Sequence, residues 1–274
     1  MGATHMNGDT EHTEGVQQPK RRRWRRWLRW TGSLLIVAGI LVALYPLGTE
    51  VYGWWAQREL RAQLAQASPA FVTSTTQLAS TQPSQQASSQ TPVTTEPALP
   101  SPAQVAAAQQ AAQQARLDAF RLASASFQAS VQGKSGTPIG RIVIPSIGMD
   151  VVMVEGAGTG DLKEGPGHWP ETVFPGQLGN FVVSGHRTTY GAPFRKLDKI
   201  KVGDEIQLVL PYAVVRYRVT RVIVVLPTQV DEVAQLGREQ VSLAACHPIY
   251  SASHRIVVQG DMIDFTLFTS PQSH

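Results

Sequence analysis

The chain has 274 residues, 42% of them hydrophobic and only 16% charged, with 18 prolines and one cysteine. That length allows one or two domains, and the proline content points to a compact domain joined to low-complexity sequence. The net charge of +4 is confined to residues 1–30, where Lys20, Arg21, Arg22, Arg23, Arg25, Arg26 and Arg29 outnumber Asp9, Glu11 and Glu14. The rest of the chain is neutral; the basic cluster could grip nucleic acid through phosphate contacts and stacking, but its position just before an apolar span argues otherwise.

The basic cluster is interleaved with Trp24, Trp27 and Trp30 and directly precedes an uncharged stretch, Trp30 to Thr49. As a helix this stretch runs roughly 30 Å, the thickness of a bilayer core. The expected elements are a basic cytoplasmic tail over 1–30 and a transmembrane anchor over 31–49. Lysine and arginine stay on the cytoplasmic side, so a single pass through the plasma membrane leaves everything after Glu50 outside the cell, in contact with membrane lipid only at the anchor. Trp24, Trp27 and Trp30 on one flank and Tyr45, Tyr52, Trp54 and Trp55 on the other fit aromatic belts. A cleaved signal peptide is the alternative. Against it, the apolar stretch is long for such a segment, and the nearest small-x-small site, Ala65-Gln-Ala67, lies about twenty residues beyond it.

Residues 50–100 are expected to form a disordered stalk. From Arg61 to Arg116 the one charged residue is Glu96, and the run is almost entirely Ser, Thr, Gln, Ala and Pro. Such a composition buries too little apolar surface to offset chain entropy. A helix over 101–133 follows, with Ser101 as cap, Pro102 at the first helical position and Gln104 as capping-box partner. Its Ala/Gln-rich first half gives way to Leu117, Phe120, Ala123, Phe127 and Val131, an apolar stripe that docks the helix on its own domain.

From 134 to 268 the pattern changes to short β-branched segments separated by glycine and proline, as in an all-β barrel or sandwich. Candidate strands are Arg141 to Ile144, Val151 to Glu155, Asn180 to Gly185, Glu205 to Leu210, Val214 to Val225, Val241 to Cys246 and Arg255 to Ile263. Val215, Tyr217 and Val219 alternate with Arg216, Arg218 and Thr220, which marks a half-buried strand, and Pro211-Tyr212 turns the preceding strand back onto it. No Gly-rich phosphate loop is present, so nucleotide chemistry has no support.

Cys246 ends one of these strands, with Arg255 nine residues on and His186 sixty residues back. A lone thiol outside the cell has no intramolecular disulfide partner, so it is either an idle small hydrophobe or a reactive group. A thiolate nucleophile needs a nearby imidazole or cation, and His186, after Phe181-Val-Val-Ser-Gly185, stands at the end of a strand to supply one. If the Cys246 and Arg255 strands pair antiparallel, the guanidinium comes level with the thiol, where it would meet the oxyanion of a tetrahedral intermediate. His247 and His254 adjoin these residues and would tune or substitute for them. His168 sits in a turn-rich loop. Zinc on His186, Cys246 and His247 lacks paired-ligand spacing, and Asp161, Glu164 and Glu171 are too scattered for calcium, so no metal or other cofactor is expected.

Gly165-Pro-Gly-His-Trp-Pro170, Gly179-Asn-Phe-Val-Val-Ser-Gly-His-Arg-Thr-Thr-Tyr-Gly-Ala-Pro-Phe194, Lys201-Val-Gly-Asp204 and Cys246-His-Pro-Ile-Tyr-Ser-Ala-Ser-His-Arg255 resemble sortases, most of all class E. The resemblance spans roughly 134–268. It implies a closed eight-stranded sortase β-barrel and a cysteine transpeptidase acting on secreted proteins that carry a C-terminal LPXTG-like or LAXTG-like sorting signal. Cleavage after the threonine would leave a thioester on Cys246, resolved by the amine of a cell-wall precursor or a pilin lysine. By the same match His186 takes the family histidine's role, Arg255 holds substrate and oxyanion, and Tyr190 contacts the sorting signal or packs its loop onto the barrel. The family pattern Thr-Leu-x-Thr-Cys is replaced by Ser242-Leu-Ala-Ala-Cys246, so the hydroxyl beside the nucleophile is missing. A degenerate sortase fold that binds without turnover, and a hydrolase that releases its product to water, are the competing readings.

Overall fold

The structure, a computed structural model, describes residue 2 and residues 21–67, 101–229 and 237–268. The expected stalk from 68 to 100 and the tail up to Lys20, apart from Gly2, lie outside the described residues. Two compact units divide the chain, Met1–Pro46 and Leu47–His274.

Helix α1 spans Arg21–Ala67. In the first unit Leu34, Leu35, Ile36, Val37, Ile40, Leu41 and Val42 are each more than half exposed. A helix apolar on every side fits lipid better than water, and Trp30–Gln66 is long and apolar enough to cross a membrane. In the second unit the same helix continues through residues 50–67, where the composition had led us to expect the start of the stalk. Three local contacts account for the difference. Leu60 and Leu64, one turn apart, are buried with Val152, Val154, Val209 and Val214. The Gln57 amide accepts from the Val152 N–H and donates to the carbonyls of Val152 and Glu164. Arg61 donates to the Asp150 carbonyl at 2.6 Å.

Helix α2, Pro102–Val131, starts with the expected capping box: Gln104 N–H donates to Ser101 Oγ and Ser101 N–H to Gln104 Oε1. It docks on its own unit through Phe120, which is buried and stacks on Phe265 with ring centroids 4.2 Å apart, and through Phe127, edge-on to Phe174.

Eight strands follow: β1 (Pro138–Ile144), β2 (Met149–Glu155), β3 (Gly167–His168), β4 (Asn180–Ser184), β5 (Glu205–Val209), β6 (Ala213–Val225), β7 (Gln240–His247) and β8 (His254–Leu267). They close into a barrel in the order β1-β2-β3-β4-β7-β8-β6-β5. Seven match the candidates read from the sequence. The eighth, β3, is two residues that bridge β2 in parallel and β4 antiparallel. The 13-residue β6 pairs with β5 along its first half and with β8 along its whole length, bulging at two places, and so completes the closure.

Strand alternation fixes which side chains fill the barrel. Phe181 and Val183 of β4, Val241, Leu243 and Ala245 of β7, and Ile256 and Val258 of β8 belong to one core cluster with Tyr217 and Val215. The intervening residues face outward, where Ala244, Val257 and Val225 form a small separate cluster with Ile223 packed against it. Ala245, next to Cys246, therefore points into the core, 4% exposed, where a methyl group is the compatible choice.

Candidate active site

Two pairings bring the expected residues together. β4 runs parallel to β7 with Ser184 opposite Ala244, and the Gly185 N–H extends the ladder to the Ala244 carbonyl at 3.1 Å. Two residues beyond that pair lie His186 and Cys246. On the other side β8 runs antiparallel to β7 with Arg255 directly opposite Cys246. Neighbouring strands are about 5 Å apart, so imidazole, thiol and guanidinium stem from three adjacent strand ends at one rim of the barrel. Cys246 continues the outward row of Ala244 and is exposed.

His186 is half-buried and held from two sides. Its carbonyl accepts from the Phe194 N–H at 3.0 Å, and its ring lies 5.3 Å from the Tyr190 ring, tilted by 40°. The preceding Gly185 is required by packing, since a Cβ there would meet the Phe194 ring at 2.7 Å. Burial pushes the His186 pKa below the usual 6.5, so at neutral pH the ring is mainly the uncharged form that can accept a proton. Arg255 directs Nη1 back to the carbonyls of Ala252 and His254, both at 3.0 Å, which fixes its stem at the rim.

The other histidines among the described residues have structural partners. His168 is buried, with Nδ1 2.7 Å from Glu155 Oε2 and Nε2 3.0 Å from Thr172 Oγ1, and stacks on Phe181. Its neighbour Trp169 donates Nε1–H to Ser184 Oγ at 2.7 Å, two residues before His186. His254 Nδ1 lies 3.0 Å from Ser253 Oγ. Among the described residues no three His, Cys, Asp or Glu side chains gather as a metal site.

One residue at the site carries a role that the sequence reading did not assign. Arg187 follows His186, so alternation turns it inward, and it is 3% exposed. Its Nη2 pairs with Asp198 Oδ1 at 2.8 Å and donates to the Arg195 carbonyl, while Nη1 donates to the Cys246 carbonyl and to His247 Nδ1. Arginine has donors only, so His247 accepts here through Nδ1. The available signal was a charged residue three positions past β4, in phase with its inward row, where burial demands a partner.

The family model for the sortase domain matches residues 142–263, the barrel from β1 into β8. The chain belongs to the sortase family. It is 29% identical over 143 residues to sortase D of Bacillus subtilis (strain 168), a match covering 51% of this chain and 71% of that one. To sortase A of Bacillus anthracis it is 30% identical over 126 residues, 46% of this chain and 60% of the relative. Among solved structures, sortase E from Streptomyces avermitilis is 32% identical with a TM-score of 0.45, the match covering 49% of this sortase and 93% of that chain. These relatives carry the class letters A, D and E.

Proposed function

We propose that this sortase is a membrane-anchored cysteine transpeptidase, of the class E kind that its loop motifs most resemble. Cys246 gives its thiol proton to the uncharged His186 ring as Sγ attacks the carbonyl carbon of the threonine in an LPXTG-like or LAXTG-like signal. The C–N bond to the next residue breaks as the imidazolium of His186 gives its proton to the leaving amine, and the acyl group remains on sulfur as a thioester. An amine from a cell-wall precursor or a pilin lysine then attacks, His186 takes its proton, and the thiolate leaves. Arg255 faces the oxyanion in both steps. Tyr190, beside His186, lines the place where the sorting signal lies.

The observation that carries this reading is the register of β7 between β4 and β8, with Cys246 outward at the end of all three. The inward direction of Ala245 supports turnover over a binding-only fold, because the missing hydroxyl lies on the side away from the thiol. A span of apolar helix behind a basic tail supports an N-terminus in the cytoplasm and a barrel outside.

The test is mass spectrometry of the protein incubated with a sorting-signal peptide. A thioester adduct that is absent from Cys246→Ala, and that converts to ligated product when a candidate amine is added, is the expected result. Peptide bound without cleavage sinks the transpeptidase in favour of a binding module, and adduct that resolves only to free acid makes it a hydrolase.

A further inference from the structure

The loop after His186 holds three successive residues in the left-handed region: Tyr190 at φ 54°, Gly191 at 74° and Ala192 at 42°. Only the glycine adopts this conformation freely, so the other two must be held there by what packs around them. What packs there is helix α1. Gly53 is buried against the loop so closely that a Cβ would lie 2.4 Å from Gly191 N and from the Tyr190 carbonyl carbon. The adjacent Tyr52 ring meets the Tyr190 ring edge-on at 6.0 Å. From another side Lys163, in the one-turn helix α3 (Asp161–Glu164), places Nζ 5.8 Å from the same ring. Tyr190 also neighbours the His186 imidazole, with ring centroids 5.3 Å apart.

We infer that Tyr52 and Gly53 are positioning residues for catalysis, bracing Tyr190 against the His186 ring from a helix that lies outside the family-matched barrel. Gly53 lets the helix approach to backbone contact, and Tyr52 supplies the aromatic surface against which Tyr190 is held. The rest of the segment fastens it to β2 through Gln57, Leu60, Arg61 and Leu64, so the brace has a rigid base. The imidazole touches Tyr190 on one side and is tethered through its carbonyl to Phe194, so its orientation toward Cys246 depends on the loop that α1 holds. The inference rests on His186 as the residue that moves protons in the proposed reaction.

The experiment uses the full chain in detergent with ¹⁵N/¹³C-labelled histidine. The ring resonances of His186, assigned by their loss in His186→Gln, carry a ring-current shift from Tyr190. In Gly53→Val, whose added Cβ displaces the loop, and in Tyr52→Ala, which removes the contact without adding bulk, that shift should diminish. Turnover number on a sorting-signal peptide should fall by about ten- to a hundredfold, the usual effect of a misplaced catalytic group, with KM little changed. A stabilising role alone would lower the melting temperature and leave both readouts in place. Unmoved resonances in both variants overturn the inference, and so do moved resonances with unchanged turnover. If the unsubstituted protein forms no thioester, the proposed function fails on its own, while the ring shift still decides whether α1 holds the loop.

Discussion

At Arg187 one guanidinium ties together the carbonyl of Cys246, the ring of His247, the carbonyl of Arg195 and the carboxylate of Asp198. Its buried Nε has no hydrogen-bond partner among the described residues, so the position keeps arginine at some cost in desolvation. Replacing it by methionine removes a buried charge-assisted fork and leaves Asp198, itself about a third exposed, to find water. Breaking a fully buried pair costs about 3–5 kcal/mol, and the hydration left to Asp198 lowers the expectation to about 2–3. Arg187→Lys should recover little of it, because a point charge does not bond two carbonyls and a carboxylate in one plane. Denaturant unfolding of the three proteins measures this, and a loss below about 1 kcal/mol would show that the fork is dispensable. The residue pattern singled out Cys246, His186 and Arg255, which the register sets at one rim, because thiol, imidazole and guanidinium are chemically distinctive near strand ends. It did not reveal the task of Arg187, since which partner satisfies an inward charge depends on loops that no local period encodes.

Among the elements, the seven longer strands and the stripe of α2 were legible, since apolar alternation and three-four spacing are properties of a few consecutive residues. β3 was not, because two residues carry no period. The outer part of α1 was not either, since its anchoring contacts, Gln57, Leu60 and Leu64, sit among polar residues that read as a linker. Helix α2 shows what docking contributes. Phe120 is 1% exposed and stacks on Phe265 of β8 at an interplanar angle of 10°. Phe120→Ala should destabilise the barrel unit by about 3–5 kcal/mol through lost burial and the cavity left behind. Chemical denaturation followed by near-ultraviolet circular dichroism tests it, and a cost under 1 kcal/mol would mean that α2 is an ornament rather than part of the core.

Over the whole molecule, charge and thiol chemistry combine into a direct assay of orientation. The seven basic residues from Lys20 to Arg29 precede the apolar stretch of the chain, and Cys246 is its one cysteine. A membrane-impermeant maleimide should therefore label intact cells at Cys246, whereas Gly2→Cys in a Cys246→Ala background should react only after lysis. The reverse pattern would invert the proposed topology. The parallel partnership of β4 and β7 bears on how such a protein matures. Two strands running the same way cannot be joined by a tight hairpin, and here β5 and β6 intervene between them. Cys246 and His186 thus come level only once the chain carrying β5 and β6 has been laid down and β7 has paired with β4. Before that pairing the register that sets the two side chains at one rim does not exist, so under the proposed function a half-folded molecule would not yet cut its substrate.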